Sequence, residues 1–161
     1  MKLTQKESTL VKDMADQEKL CAEKYRKNAE CAVDPQLCDL FESLATVEDE
    51  HLNTLNEIAS GECPSGQCGS GGSGNSGGSG GSGSGRTFTA FHTSETSDKK
   101  NDAFLCSDLL AGEKHASHLY DTCIFEFTDD AVRQTLNHIQ SEEQQHGKLI
   151  YDYMKTNGMY S

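Results

Sequence analysis

The sequence contains two Glu-x-x-His motifs, each of which pairs a carboxylate with an imidazole, and both groups can bind metal. One pairs Glu48 with His51, and the other pairs Glu143 with His146. Positions three residues apart share one face of a helix, so each carboxylate and its imidazole point the same way. Because acidic helices produce a single motif of this kind by chance, its surroundings decide what it means.

The whole pattern occurs twice along the chain. Glu18 lies thirty residues before Glu48, Glu113 lies thirty residues before Glu143, and the two copies are 95 residues apart. The same offset relates ordinary positions, such as Leu10 and Leu105, Lys19 and Lys114, and Tyr25 and Tyr120. This internal repeat predicts two similar halves, neither of which can bury a core alone.

The repeated residues fall within apolar helical stripes, which predicts that they are buried. Four buried carboxylates and two imidazoles without partners would be very costly, whereas four negative charges match two divalent cations. Carboxylate oxygen with limited imidazole suits iron or manganese, and zinc could also occupy such a site. The sequence therefore predicts a two-metal site, with no catalytic side chain assigned, whose ligands are Glu18, Glu48, His51, Glu113, Glu143 and His146.

Other polar residues lie near these ligands. Tyr25 and Tyr120 each follow a lone glutamate by seven residues, two helical turns, on the same face. Core packing accounts for both tyrosines, and a supporting hydrogen bond to a ligand carboxylate is the alternative. Glu23, His115 and His118 lie off the stripe and are predicted to be surface residues.

Helix signals divide the first half, residues 1–61, into a hairpin. Thr4-x-x-Glu7 is a capping box that opens a helix running to about Glu30. Asp34-Pro35 then supplies an N-cap and a proline at the first helical position of a second helix. Gly61 ends that helix.

The second half, residues 98–161, shows the same arrangement. A third helix should begin near Asp98 or Asp102, and Thr128-Asp129-Asp130 forms a turn and N-cap before the fourth. Asn157-Gly158 ends the fourth helix. Steps of four and three between apolar residues describe the inward seam of a helical bundle.

A Gly/Ser-rich flexible linker, residues 62–97, joins the two hairpins. Its last part, residues 87–97, either lies over a hydrophobic surface or stays loose. A helix of about 25 residues is about 38 Å long, and a flexible segment of about 36 residues spans roughly 33 Å. The linker can therefore cross the bundle. The prediction is an all-α four-helix bundle, one domain, with helices two and three parallel, as in ferritin-like proteins.

Composition narrows the function. A formal charge of −12 argues against nucleic acid or an anionic membrane as partner and suits a protein that attracts cations. The chain lacks a membrane-spanning apolar run and a secretion signal at its start, which predicts a cytoplasmic or spore-coat location.

Seven cysteines show no paired Cys-x-x-Cys spacing, which excludes a rubredoxin or zinc-ribbon site. Helical cysteines are predicted to act as small hydrophobes. Cys63 and Cys68 are expected to be exposed, and a disulfide between them is left open.

The segment from Phe41 to His51 resembles the second helix of rubrerythrins, which are ferritin-like proteins. Stretches at 34–37, 51–55, 137–140 and 157–160 also resemble clostridial proteins of the spore coat protein F type. Rubrerythrins carry a further glutamate where this chain has Ala116, and a rubredoxin module that this chain lacks.

The resemblance implies a di-iron site that reduces peroxide or oxygen with electrons from an external donor. The alternative is a structural spore-coat component, stabilised by metal and without turnover, whose partners are other coat proteins. The sequence leaves open which of the two holds, and whether the protein forms a homodimer.

Overall fold

The structure, a computed structural model of the chain, describes residues 2–62 and 85–160. Most of the predicted Gly/Ser linker, together with Cys63 and Cys68, lies outside the described residues. Within them the chain forms four long helices: α1 (Gln5–Cys31), α2 (Pro35–Ser60), α3 (Ser97–Ile124) and α4 (Asp130–Thr156). The prediction of an all-α four-helix bundle is confirmed.

Each helix starts where a side chain satisfies its free backbone amides. Thr4 and Glu7 form the predicted capping box at α1, and the Gln36 amide donates to the Asp34 carboxylate at α2 (2.8 Å). Asp129 caps α4 in the same way. Thr96 caps α3, so this helix begins at Ser97, slightly before the predicted start at Asp98 or Asp102.

Contacts between helices give their directions. Glu18 of α1 meets Tyr120 of α3 while Tyr25 meets Glu113, so α1 and α3 are antiparallel. Because α1 and α2 also form an antiparallel hairpin, α2 and α3 run parallel. The predicted crossover topology is confirmed, since α2 ends at the opposite end of the bundle from the start of α3.

The bundle interior has two apolar ends. One cluster includes Leu37, Phe41 and Tyr153, and the other includes Met14 and Leu55. All of these side chains are fully or almost fully buried. The predicted ligand residues lie between the two clusters, so the fold encloses a polar centre within hydrophobic packing.

The cysteines of the described residues are all free. Cys21, Cys106 and Cys123 are buried in the helices, as expected for small hydrophobes. Burial raises the pKa of the Cys21 and Cys106 thiols, which keeps them protonated. Cys31 is exposed and Cys38 is half-buried, so helical position alone did not predict their environment.

Residues 85–96, called the strap below, pack against one end of the bundle. The Phe88 ring meets the Tyr153 ring edge-on, with centroids 5.4 Å apart. Gln36 of α2 exchanges hydrogen bonds with the Thr89 backbone, each 3.0 Å long. Of the two outcomes left open for residues 87–97, the structure shows the first, a segment lying over a hydrophobic surface.

Asp102 anchors the strap from beneath. It is fully buried, and its carboxylate accepts hydrogen bonds from the Val33 amide (2.9 Å), the Asp34 amide (3.0 Å) and His92 Nε2 (2.8 Å). The side chain of Asn157 accepts from the Phe91 and His92 amides. One acidic residue thus joins the α1–α2 turn, α3 and the strap.

Candidate metal centre

The six predicted ligands converge in the middle of the bundle. They form two groups of four whose ligand atoms all lie within 4.8 Å of one another. The first metal position is formed by Glu18, Glu48, His51 and Glu143, and the second metal position by Glu48, Glu113, Glu143 and His146. Each position could hold a metal ion, and Glu48 and Glu143 are common to both.

Both histidines turn Nδ1 towards the carboxylates. His51 Nδ1 lies 3.3 Å from Glu48 and 3.0 Å from Glu143, and His146 Nδ1 lies 3.0 Å from Glu48. The two rings stack nearly parallel, with centroids 5.7 Å apart. The shared carboxylates therefore lie beside an imidazole from each Glu-x-x-His motif.

Four buried carboxylate oxygens have no hydrogen-bond partner among the described residues. They are Glu18 Oε2, Glu113 Oε2 and both oxygens of Glu143. His51 Nδ1 is close to Glu143 but is not aligned as a hydrogen-bond donor to it. Buried oxygens of this kind are costly unless a partner satisfies them, so the donor set fits divalent cations.

Burial dominates the electrostatics of three of the glutamates. It raises the pKa of Glu18 and of Glu143 to about 8, since desolvation disfavours the charged form. Burial, together with the Glu143 and Glu48 charges, also raises the pKa of Glu113 well above its ordinary value. Without metal, burial therefore favours the protonated form of all three groups.

The pKa values of Glu48 and His51 shift in the direction opposite to the one that burial alone would give. Burial alone would raise the pKa of Glu48, but hydrogen bonds from His146 and His51 outweigh it and the pKa is lowered. Burial alone would lower the pKa of His51, but Glu142 and the surrounding glutamates raise it. The metal-free centre therefore favours an ion pair between Glu48 and the His51 imidazole.

The tyrosines form hydrogen bonds that cross between helices. Tyr25 of α1 donates to Glu113 of α3, and Tyr120 of α3 donates to Glu18 of α1. Both tyrosines also belong to the apolar clusters, so core packing and the supporting hydrogen bond occur together. Each one orients the glutamate that belongs to only one metal position.

Glu142 is a site residue that the sequence did not reveal. Its carboxylate accepts from His51 Nε2 at 3.0 Å, on the side of the ring away from the cluster. As the immediate neighbour of Glu143, it lies off the apolar stripe. An acidic residue at such a position is normally predicted to be a solvent-exposed surface residue. Glu23, His115 and His118 are exposed, as predicted.

Two cavities reach the centre. One of about 330 Å³ opens between α1 and α3, where its walls include Cys21, Tyr25 and Glu113. Another of about 340 Å³ opens between α3 and α4, where its walls include Glu113, Glu143 and Gly147. Both are large enough to admit several water-sized molecules.

The fold and the site together define a helical bundle with a carboxylate-histidine cluster that could hold metal. Residues 101–161 match the family described as the Coat F domain. The resemblance to Coat F-type spore coat proteins is therefore confirmed for this part of the chain. The match includes Glu113, Glu143 and His146, whereas the other three candidate ligands lie before it.

A curated relative is the uncharacterized protein YusN of Bacillus subtilis, 32% identical over 66 residues. The aligned part covers 41% of this chain and 60% of YusN, so the chain spans less than two thirds of that relative. No solved structure gave a significant match. None of the helices in the described ranges is long and apolar enough to cross a membrane.

Proposed function

We propose that this chain binds two divalent metal ions in the candidate centre, iron being the first choice, and reduces hydrogen peroxide. The observation that carries the proposal is the pair of overlapping four-residue groups that share Glu48 and Glu143. Four carboxylates balance the charge of two divalent cations. Hard oxygen ligands with one imidazole per position suit iron or manganese.

Two ferrous ions at these positions would supply the two electrons that reduce the O–O bond. Hydrogen peroxide takes up two electrons and two protons and leaves as two water molecules. An external donor would return the electrons. The resemblance to rubrerythrins supports this reaction over one with oxygen.

The protein's own residues supply binding, orientation and exclusion of bulk water. Tyr120 and Tyr25 hold Glu18 and Glu113 in place, and Glu142 holds the His51 ring. The apolar clusters above and below the centre close its two ends, so small molecules reach the centre through the side cavities. A small O–O compound fits those cavities, whereas a large reductant must act from the surface.

The test combines metal content with oxidation kinetics. Protein expressed with iron should contain about two iron atoms per chain by elemental analysis. Stopped-flow absorbance should then show the ferrous protein oxidised faster by peroxide than by air-saturated buffer. A protein that binds two metals but reacts no faster with peroxide would contradict the enzymatic part alone.

The Coat F match favours a second candidate, a structural spore-coat component whose metal only stabilises the bundle. Its location would be the spore coat rather than the cytoplasm, and its partners other coat proteins. Under this alternative, metal raises the melting temperature while peroxide produces no turnover. Repeated peroxide additions with an artificial electron donor distinguish the two candidates.

A further inference from the structure

The internal repeat is broken at one position beside the metal centre. Glu142 accepts a hydrogen bond from His51 Nε2 at 3.0 Å. The position 95 residues earlier, which the repeat would place beside His146, is Val47. Valine offers no acceptor, so only one of the two histidines has a carboxylate behind it.

His146 differs from His51 accordingly. Its Nδ1 contacts Glu48 and lies 3.8 Å from Glu113, but its Nε2 has no hydrogen-bond partner among the described residues. A partner on the outer nitrogen of a ligand histidine fixes the ring and its tautomer, and its loss commonly lowers metal affinity 10–100-fold. The first metal position is therefore the better organised one.

The second metal position, which is the less organised one, is the more accessible from solvent. Glu113 lines both side cavities, whereas neither Glu18 nor His51 lines either of them. The second metal position is thus the one that a small molecule from solvent meets first. This is independent of the Glu142 contact, which lies on the other histidine.

The two cavities are also unlike each other. In the cavity between α1 and α3, Tyr25 covers Glu113, and Lys24 is neutralised by Asp108 at 2.8 Å. The walls of the cavity between α3 and α4 include Glu113 and the shared Glu143. Lys114 on its wall makes no salt bridge with any described residue. Once bound metal neutralises the two carboxylates, the Lys114 charge would favour a small anion there.

We infer that the two metal positions have different roles. The first metal position binds metal more tightly, with Glu142 as the positioning residue for His51. The second metal position receives small anionic ligands, which enter between α3 and α4 past Gly147. The inference rests on the proposed metal binding and specifies which position takes the exogenous ligand.

Cobalt(II) titration of the metal-free full-length chain, followed by visible absorption, tests the first part. The wild type should bind two equivalents in separate steps. Glu142→Val should weaken the tighter step about 10–100-fold and leave the weaker one unchanged. Glu142→Gln, which keeps an acceptor oxygen for His51, should restore much of the affinity, and Val47→Glu should tighten the weaker step.

Azide binding to the cobalt-loaded protein tests the second part. Gly147→Leu should fill the cavity between α3 and α4, because a Cβ there already meets Leu110 at 3.4 Å and Glu113 at 3.7 Å. We expect azide association to slow at least tenfold. Gly112→Leu is the matched control, since it places the same side chain on the wall of the other cavity, where only Lys24 Nζ lies within 4.0 Å.

Each outcome decides between the proposals. If no cobalt binds, the metal proposal falls and the inference with it. If two equivalents bind but Glu142→Val leaves both steps unchanged, or weakens both equally, only the inference is overturned. Equal slowing of azide by Gly112→Leu and Gly147→Leu would also overturn it, and unchanged helical circular dichroism excludes misfolding as the cause.

Discussion

At the scale of residues, the six candidate ligands could be predicted from the sequence. Which of them belong to one metal position and which to both could not. The i, i+3 spacing and the repeat place each side chain on an inward face. Which carboxylate lies between two positions depends on how all four helices meet. Only the structure shows that Glu48 and Glu143 are shared, while Glu18 and Glu113 each serve one position.

Glu48→Gln should therefore remove more metal than Glu18→Gln. Loss of a shared carboxylate weakens both positions, whereas loss of Glu18 weakens one, so we expect fewer than one metal per chain and about one, respectively. Metal analysis beside helical circular dichroism measures this. Glu50→Gln, on the exposed side of the same helix, is the control, and equal losses from the first two variants would contradict the sharing.

The titration of the buried glutamates predicts how stability depends on pH. The pKa of Glu18 and of Glu143 rises from 4.5 to about 8 on folding. The folded chain thus holds protons that the unfolded chain releases above pH 4.5. This stabilisation is fully present below pH 4.5 and is lost as the pH rises through about 8. The raised pKa of His51 acts in the same direction.

We expect the metal-free protein to lose on the order of a few kcal/mol of stability between pH 6 and pH 9. Thermal or urea unfolding after chelation measures it. The metal-loaded protein should not show the same loss, because bound metal keeps the carboxylates ionised and paired. A metal-free protein as stable at pH 9 as at pH 6 would show that these carboxylates are not buried as described.

At the scale of elements, the helices could be predicted from their capping residues and apolar periodicity, whereas the strap could not. Its apolar residues follow no helical or strand periodicity, and the sequence indicated Asp102 only as an alternative start of α3. The crossed tyrosine contacts were hidden for a related reason. Within one helix Tyr120 stands two turns from Glu113, about 10 Å away, and the packing of α1 against α3 brings it to Glu18 instead.

Replacing Asp102 by alanine should release the strap. The buried Asp34 amide, the partly buried Val33 amide and His92 would lose their acceptor. We expect this loss to cost about 2–5 kcal/mol of unfolding free energy. Urea denaturation measures the loss, and trypsin cleavage after Arg86 should become faster. Asp98→Ala, at an exposed position in the first turn of the same helix, should cost no more than about 1 kcal/mol and leave the cleavage rate unchanged.

At the scale of the whole molecule, the parallel course of α2 and α3 followed from linker length in the sequence. The structure adds where the crossing must finish. Arg86 donates to Ser43 at 3.2 Å and also contacts Asp39, both in the first half of α2. The chain leaving Gly61 must therefore return about 27 Å along α2, at 1.5 Å per residue, to reach Arg86.

Trimming the segment between Gly61 and Arg86 should have a threshold. Removing about ten residues should change stability by less than about 1 kcal/mol, because loop-closure entropy varies slowly with length. Five remaining residues reach only about 20 Å, which should force exchange of hairpins between two chains. Light scattering after gel filtration would detect this dimer, and a compact monomer at that length would contradict the crossover.

The shared carboxylates have a consequence for how the two halves hold together. Each hairpin contributes three candidate ligands to one metal position and one glutamate to the other metal position. A hairpin alone would therefore leave both proposed metal positions incomplete, and bound ions would connect the two halves. Coexpressed as separate fragments, 1–62 and 85–161 should reassociate when divalent metal is added and separate on chelation, which native mass spectrometry can follow. Persistent association without metal would mean that the apolar seam suffices.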